Sequence, residues 1–434
     1  MELKEQRSRG VLMIHYKFPP IKSIGAIRNY NMAEQFQLND YNVIVLTTNN
    51  VEVMPTEYLP DHPFVKYSIF TIDYKTIIHR LFRKKISHGL PNAAKSYPLF
   101  YRIKNSYPFN LFFDEGGLVY IINAYRRGVK LIRSGNIKVI YSSFRPYADH
   151  FVAYYLKKKF PELIWIADFR DPPYDPARRQ VVFQGVQRWL GRRIMRTANV
   201  NLTVSEGVAD FMEQTFLKRP LVLRNSINPE FHRFKSPCIY DKFTITYTGS
   251  ITLGLQSAEP LFRVLSALLD DGVLTASKIQ LIYAGNDSEI WNKWIIKYNL
   301  QNISVNLGVQ PMREVLSLQK SSDVNLLLTW SGPVIKGILT GKQNEYFAAQ
   351  RPVLVLVNGT RDEEIEKIYK DLNAGFIFTS ASDTLESLKR KFCYWVEEWE
   401  KNGHLDLAYN QDKLQEYSWG CQFGVLMDYL KKIS

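Results

Sequence analysis

The run Thr340-Gly341-Lys342-Gln343-Asn344-Glu345 combines a glycine-bearing loop, a cation and a carboxylate at the start of a helix-like stretch. A helix N-terminus presents backbone N–H groups with no intrahelical partner, so with Lys342 beside it this run suits a diphosphate. The plainer readings stay open: a solvated lysine at a turn, and a glutamate that complements the dipole of the helix it opens. The run is not a Walker A motif, which needs glycine at 336 and Ser or Thr at 343, where the chain has Lys336 and Gln343. Thr248, Gly249 and Ser250 end one apolar run, and Gly285 and Asn286 end the next. A glycine at a strand's end lets backbone approach a phosphate closely; it also simply makes a turn. Asp168, Arg170 and Asp171 cluster in WIADFRD (165–171), where carboxylates and a guanidinium suit acceptor hydroxyls or pair with one another to fix the loop. Gly25 and Arg28 lie in and just after the first loop, and His150 begins a helix after a strand. For these the alternatives are a turn glycine, a solvated arginine at a helix start and a structural histidine.

The elements that must position these groups alternate along the chain. VLMIHY (11–16) is a short apolar run, as in a strand buried on both faces of a parallel sheet. A loop with Pro19, Pro20 and Gly25, a helix-like stretch and a second strand at 42–48 complete a βαβ unit. Further strands are expected at 138–143, 163–169, 201–205 and 220–226, with helices between them. After a turn-rich linker near 227–241, a second series begins. Its strands are expected at 243–251, 278–286, 303–308, 324–329, 352–357 and 375–379, and a last helical segment lies near 410–432. The fold class is therefore α/β, with two Rossmann-like, doubly wound parallel-sheet domains facing an interdomain cleft. The expected boundaries are 1–227 and 241–409, with 410–434 packing back onto the first domain.

At 434 residues and 46% hydrophobic content, the chain has ample apolar material for two cores. Three cysteines are too few and too scattered for a disulfide framework or a zinc site. The start does not read as a signal peptide, and no stretch nears the ~18 apolar residues of a membrane span. A soluble or peripheral protein of the cytoplasm is expected. The formal charge of +14 points to anionic partners. From 75 to 105 there is no acid, while Arg83, Lys84, Lys85 and other cations accumulate among aliphatic and aromatic residues. That stretch reads as an inserted solvated loop or as a patch that docks on anionic membrane. No nucleic-acid recognition module is visible, so nucleic acid is not an expected partner.

The pieces FPPIKSIGAIR (18–28), YSSFRPYADH (141–150), WIADFRDPPYD (165–175), ITYTGSI (245–251), LIYAGN (281–286) and LTGKQNEYFAAQRPVLV (339–355) occur in an order and spacing that resemble the GT-B glycosyltransferases. The group resembled is the retaining, family 4-like one that builds bacterial polysaccharides and glycolipids. The resemblance implies an N-terminal acceptor domain and a C-terminal donor domain. It also implies a nucleotide-diphosphate sugar as donor, and a glycan or lipid-linked acceptor. By this likeness Glu345, with Pro352 seven residues on, takes hydrogen bonds from the ribose hydroxyls. Thr248, Gly249, Ser250, Gly285, Asn286, Thr340, Gly341, Lys342 and, from the first domain, Gly25 lie beside the donor. His150, Asp168 and Arg170 lie near the reacting sugar, and Arg28 and Asp171 near the acceptor. One departure stands out: many members carry a second glutamate eight positions before Glu345, and here that position is Gly337. With no Asp-x-Asp motif and no His/Cys cluster, no metal and no cofactor are expected. Three other readings remain: a non-catalytic partner subunit of a glycosyltransferase, a sugar-nucleotide epimerase, and a phosphorylase, though no lysine marks a pyridoxal phosphate site.

Overall fold

The computed structural model describes residues 9–20, 24–48, 64–72, 99–113, 116–174, 181–227, 231, 240–405 and 407–433. The chain divides into two units: one running up to Arg224 together with Gln422–Ser434, the other comprising Asn225–Cys421.

Among the described residues unit 1 is built on seven strands: β1 (Arg9–Ile14), β2 (Tyr41–Thr47), β3 (Val65–Ser68), β4 (Ile137–Phe144), β5 (Ile164–Phe169), β6 (Val200–Thr203) and β7 (Leu221–Val222). All pair in parallel, in the order β3-β2-β1-β4-β5-β6-β7. Its helices are α1 (Ile24–Leu38), α2 (Leu99–Lys104), α3 (Asn110–Phe113), α4 (Gly117–Ser134), α5 (Tyr147–Lys159), α6 (Gln184–Thr197) and α7 (Glu206–Phe216). The central strands β4, β5 and β6 bury nearly every side chain. That is the pattern of a parallel sheet covered on both faces, and the reason its strands read as unbroken apolar runs.

Among the described residues unit 2 has six parallel strands: β8 (Phe243–Thr248), β9 (Ile279–Ala284), β10 (Ser304–Gly308), β11 (Val324–Ser331), β12 (Val353–Gly359) and β13 (Gly375–Thr379). Their order is β10-β9-β8-β11-β12-β13. Helices α8 (Glu259–Asp270), α9 (Ser288–Lys297), α10 (Met312–Ser321), α11 (Gly341–Ala349), α12 (Glu363–Leu372) and α13 (Leu385–Asn402) connect or follow them. In each sheet the order reverses direction about the first strand, between β1 and β4 and between β8 and β11. Such a switch point opens a crevice at the carboxyl ends of the strands, where α/β sheets place their ligands. The two-domain parallel-sheet α/β reading of the sequence therefore holds.

The C-terminal segment forms two helices, α14 (Gln411–Gln415) and α15 (Trp419–Ile433), rather than one. Leu414 of α14 is buried in the core of unit 2. The passage into unit 1 therefore starts near Gln422 and not near 410. There the Phe423 ring stands edge-on to Phe36 of α1 with centroids 4.9 Å apart, and the Gln422 side chain accepts from the Arg224 amide at 2.8 Å.

Of the basic stretch 75–105, residues 75–98, with Arg83, Lys84 and Lys85, lie outside the described residues. Its described end forms α2. Among the described residues no helix is long and apolar enough to cross a membrane.

Candidate functional site

In unit 2 the loops after β8 and β9 and the start of α11 come together. Gly249 sits at φ +106, a conformation L side chains rarely adopt, and a Cβ there would lie 2.3 Å from Lys342 Cε. Its amide donates to the Ala284 carbonyl at 2.6 Å. Gly285 is as constrained by space, since a Cβ would meet the Gly249 carbonyl oxygen at 2.1 Å. Two strand ends thus run in backbone contact; a side chain at Gly285 would push them apart, and one at Gly249 would displace Lys342.

Lys342 lies in the first turn of α11. Its ammonium donates to the Tyr247 hydroxyl at 2.9 Å and to the Ser250 carbonyl at 3.3 Å, and stands 4.4 Å from the centroid of the Tyr247 ring. Tyr247 is itself fixed in a cluster with Trp291 and Tyr283, the three rings nearly parallel and each 4.9 to 6.0 Å from the other two. The Tyr283 hydroxyl donates to the Gly249 carbonyl at 3.2 Å and accepts from the Asp287 amide at 2.8 Å. Asp287 in turn accepts from Ile251 N at 2.8 Å, which closes the loop around Ser250. Burial lowers the Lys342 pKa to about 8, against the pull of Glu345 and Asp287. The ammonium is therefore held with less countercharge than it can use, the state in which a second anion is most strongly attracted.

The helix begins at Gly341, so Glu345 does not open it but stands one turn in. One of its oxygens accepts from the Gln319 amide at 2.8 Å, and the same amide donates to Thr248 Oγ1 at 2.9 Å. Gln319, buried on α10, thereby ties the end of β8 to the carboxylate. Burial raises the Glu345 pKa, opposed by the Gln319 hydrogen bond and by Lys342. Among the described residues the second carboxylate oxygen carries no hydrogen bond. Thr340 precedes the helix without capping it, and its buried hydroxyl has no partner among the described residues. By contrast Ser205, Asp362 and Thr384 each accept from a backbone amide at the start of α7, α12 and α13. The mouth of α11 therefore offers open N–H groups and an unspent hydroxyl, flanked by Lys342 and Glu345. Asn286 is exposed beside it.

The departure at Gly337 has a physical reason. Gly337 takes φ +67, and its amide donates to Asp362 Oδ2 at 2.7 Å. A glutamate there would be strained and would start from a backbone pinned to α12.

In unit 1 the candidate residues gather at the carboxyl ends of β4 and β5, but mostly facing inward. Arg28 binds Asp168 through two bonds, of 2.8 and 3.1 Å, and donates to the Leu223 carbonyl at 3.1 Å. Tyr141 adds a 2.6 Å bond to the same carboxylate. Burial would raise the Asp168 pKa, but Arg28 and the hydrogen bonds from Arg28 and Tyr141 overcome it and lower it. Both side chains are at most 2% exposed, so Arg28 is not a solvated arginine. In this conformation neither offers a group to an acceptor. Arg170 is more open: its Nε donates to the Phe144 carbonyl at 3.1 Å, and the guanidinium lies where a Cβ on Gly25 would have to be. Gly25 lies in the first turn of α1 rather than in the loop before it, so it is the space taken by Arg170, not a turn, that requires a glycine there. Asp171 is half exposed and only 3.8 Å from Arg170, a weak pair.

His150 is buried with Nδ1 2.8 Å from Ser142 Oγ, which also accepts from Trp165 Nε1 at 2.9 Å. Ser142 has no other acceptor for its own proton among the described residues, so it donates to Nδ1 and the imidazole proton sits on Nε2. That Nε2 has no partner among the described residues. Burial lowers the His150 pKa to about 3, so the ring is neutral across the physiological range. His15, at the end of β1, escapes a reading by motif. It is fully buried, neither ring nitrogen has a partner among the described residues, and burial lowers its pKa to about 3 as well. Gln319, Tyr247 and Asp287 likewise escape it: only the tertiary fold brings them to the strand ends.

No family model matches the chain, and no curated protein sequence matches it. Solved structures do. The chain is similar to sucrose-phosphate synthase from Thermosynechococcus elongatus at 13% identity and a TM-score of 0.61, over 98% of this chain and 100% of that one. It is similar to α,α-trehalose 6-phosphate synthase from Burkholderia multivorans at 11% identity and a TM-score of 0.60, over 98% and 99% of the two chains. A third likeness is to a variant of S. aureus TarM in complex with Fondaparinux, α-GlcNAc-glycerol and UDP, at 10% identity and a TM-score of 0.56, over 97% and 99%. At such identities the likeness speaks for architecture: the chain has the two-sheet, parallel α/β fold of the GT-B glycosyltransferases.

Proposed function

We propose that the protein is a glycosyltransferase whose unit 2 binds a nucleotide-diphosphate sugar. It transfers the sugar to a hydroxyl of a glycan or lipid-linked acceptor, with retention, in the synthesis of cell-surface polysaccharide. The observation that carries this reading is the arrangement of Gly249, Lys342, Gln319 and Glu345 about the open start of α11. The diphosphate would lie against the α11 amides and Lys342, next to backbone that Gly249 and Gly285 keep free of side chains. The unbonded oxygen of Glu345 would take a ribose hydroxyl. Thr248 sets the Gln319 amide, and Ser250, Asn286, Thr340 and Gly341 form the walls. As the glycosidic bond breaks, charge grows on the leaving diphosphate. A cation and amides already in place stabilise that charge without reorganising. The leaving phosphate oxygen can then take the acceptor's proton on the same face, which is consistent with retention and requires no carboxylate base from the protein. We assign acceptor binding to unit 1, where Asp171, Arg170 and the unspent Nε2–H of His150 are the groups with free hydrogen-bonding capacity, and Arg28 and Asp168 hold the loop. The presence of UDP in the TarM complex supports the class of donor. The test is release of nucleoside diphosphate from a panel of UDP-, GDP-, ADP- and TDP-sugars, with and without glycan acceptors. Release that is lost in Lys342→Ala supports the proposal. Conversion of the nucleotide sugar without acceptor or diphosphate release would identify an epimerase instead.

Gly337 favours one second reading. With that position held at positive φ by Asp362, the group that many similar enzymes place near the sugar is missing, and the chain could be the binding subunit of an active partner. Tight diphosphate binding with no release under any condition would establish it.

Two further outcomes follow from the site. The ammonium of Lys342 has its pKa lowered to about 8. The charged form is thus present below that value and lost as pH rises through it, long before a free lysine would deprotonate. Diphosphate affinity should be flat up to about pH 7.5 and fall by about tenfold or more toward pH 10, the worth of one charge-assisted bond. Lys342→Arg, which stays protonated, should flatten that profile in a binding titration. The second outcome concerns metals. Charge neutralisation assigned to Lys342 and the amides leaves no role for a divalent ion. Turnover should survive EDTA unchanged; loss with EDTA and rescue by Mg²⁺ or Mn²⁺ would refute the assignment.

A further inference from the structure

Away from the strand ends, unit 1 carries a cavity of about 680 Å³ between α5 and α6, lined by Tyr154, Lys158, Arg188, Trp189, Arg193 and Arg196 among others. With Arg192, five cations line it, and among the described residues no carboxylate does. The cause lies in the sequence: α6 reads QGVQRWLGRRIMRT, which buries Leu190, Ile194 and Met195 and turns its arginines outward with no acid on the helix. Some of this charge has internal work. Arg192 donates to the Thr215 carbonyl, and Arg193 donates to the Tyr154 hydroxyl and stands over the Trp189 ring. Arg188 and Arg196 are exposed, and among the described residues no carboxylate or carbonyl binds them.

The same face is apolar at its rim. Phe183 is 58% exposed, Trp189 52% and Phe100 53%, with Val186 and Leu99 beside them in the chain. The segment carrying Leu99 and Phe100 is tied to the start of α6. Ser106 Oγ accepts from the Val182 amide at 2.8 Å, and the Tyr107 ring lies 6.5 Å from that of Trp189. One surface therefore combines unpaired arginines with large exposed aromatic and aliphatic side chains.

We propose that this α6 surface seats the protein on an anionic lipid bilayer. Cations alone would suit any polyanion. A soluble polyanion, however, gives Phe183, Trp189 and Phe100 nowhere to be buried, whereas a bilayer interface takes aromatic and aliphatic groups at the headgroup level while arginines stay at the phosphates. Both halves of the surface are satisfied by that one occupant. The seat is made of described residues alone, and it does not depend on what unit 2 binds.

The experiment is co-sedimentation of the full chain with vesicles of phosphatidylcholine, with and without phosphatidylglycerol, with soluble heparin as a separate probe. Binding should require phosphatidylglycerol and weaken with salt. Arg188→Ser with Arg196→Ser should reduce it roughly thirtyfold, from the usual worth of basic residues at an anionic surface. Phe183→Ser with Phe100→Ser should weaken vesicle binding but leave heparin binding unchanged. All four positions are exposed, and unchanged melting temperatures would show that the variants fold. The proposal is overturned if the wild type ignores anionic vesicles, if it binds heparin alone, or if vesicle binding survives the arginine variant and is lost only in Arg83→Ser/Lys84→Ser/Lys85→Ser.

Discussion

Glu345→Ala is expected to weaken binding of the cognate nucleoside diphosphate about a hundredfold, since it removes a charged acceptor from ribose hydroxyls in a half-buried site. The loss has two parts. The ribose hydroxyls lose their acceptor, and Gln319 loses the group that its amide joins to Thr248. Glu345→Gln separates them. It retains an acceptor oxygen, so the Gln319 bond can persist, while the charge disappears. An intermediate loss is therefore expected from Gln and the full loss from Ala, read by calorimetric titration. Equal affinity in wild type and Glu345→Ala would show that the nucleotide lies elsewhere. Stability should move the other way or not at all: burial raises the Glu345 pKa, so its charge is a cost in the empty protein.

The second large effect is on folding. Arg28 and Asp168 form a buried pair with 2% and 0% side-chain exposure. Removing one member leaves the other charge uncompensated, which typically costs about 3–5 kcal/mol. Arg28→Met should thus lower unit 1's stability by that amount, and Arg28→Met with Asp168→Leu should recover much of it. The pH dependence has a definite sign. The Asp168 pKa is lowered in the folded protein, so its contribution is complete above the unfolded carboxylate value and is lost as pH falls through the folded one. The single variant should therefore lose least relative to wild type in strong acid and most near neutrality. A denaturation series from pH 3 to pH 7 reads it directly. An equal loss at every pH would mean that packing, not charge, holds the pair.

Much of the architecture was legible because a parallel sheet buried on both faces leaves a mark that local sequence carries. FTITYT and VLVLV are continuous buried runs, and they appear as β8 and within β12. β3 was not legible: VKYS is an edge strand with three of its four side chains in contact with solvent to a large degree, so no apolar run announces it. The break between α14 and α15 was missed for a related reason. Leu414 and Phe423 both read as core positions, yet they serve different units. At the site, Lys342 and Glu345 could be named from a glycine loop ahead of a helix. The start of α11 was placed late, and Gln319 could not be found at all, because a glutamine inside an amphipathic helix has no local signature. Arg28 and Asp168 show the opposite error. A charged residue near a strand end suggests a ligand, and only the tertiary fold, which joins two positions 140 apart in the chain, shows that they answer each other.

The most direct test of the central claim is thermal denaturation of the wild type and Glu345→Ala in the presence of UDP, GDP, ADP, TDP and CMP. A ligand that binds only the folded state stabilises it by about 2.7 kcal/mol at a hundredfold excess over its dissociation constant. The account predicts a clear rise in melting temperature with one nucleoside diphosphate, absent with the others and abolished in Glu345→Ala. No shift with any nucleotide, or one that persists undiminished in the variant, would contradict it.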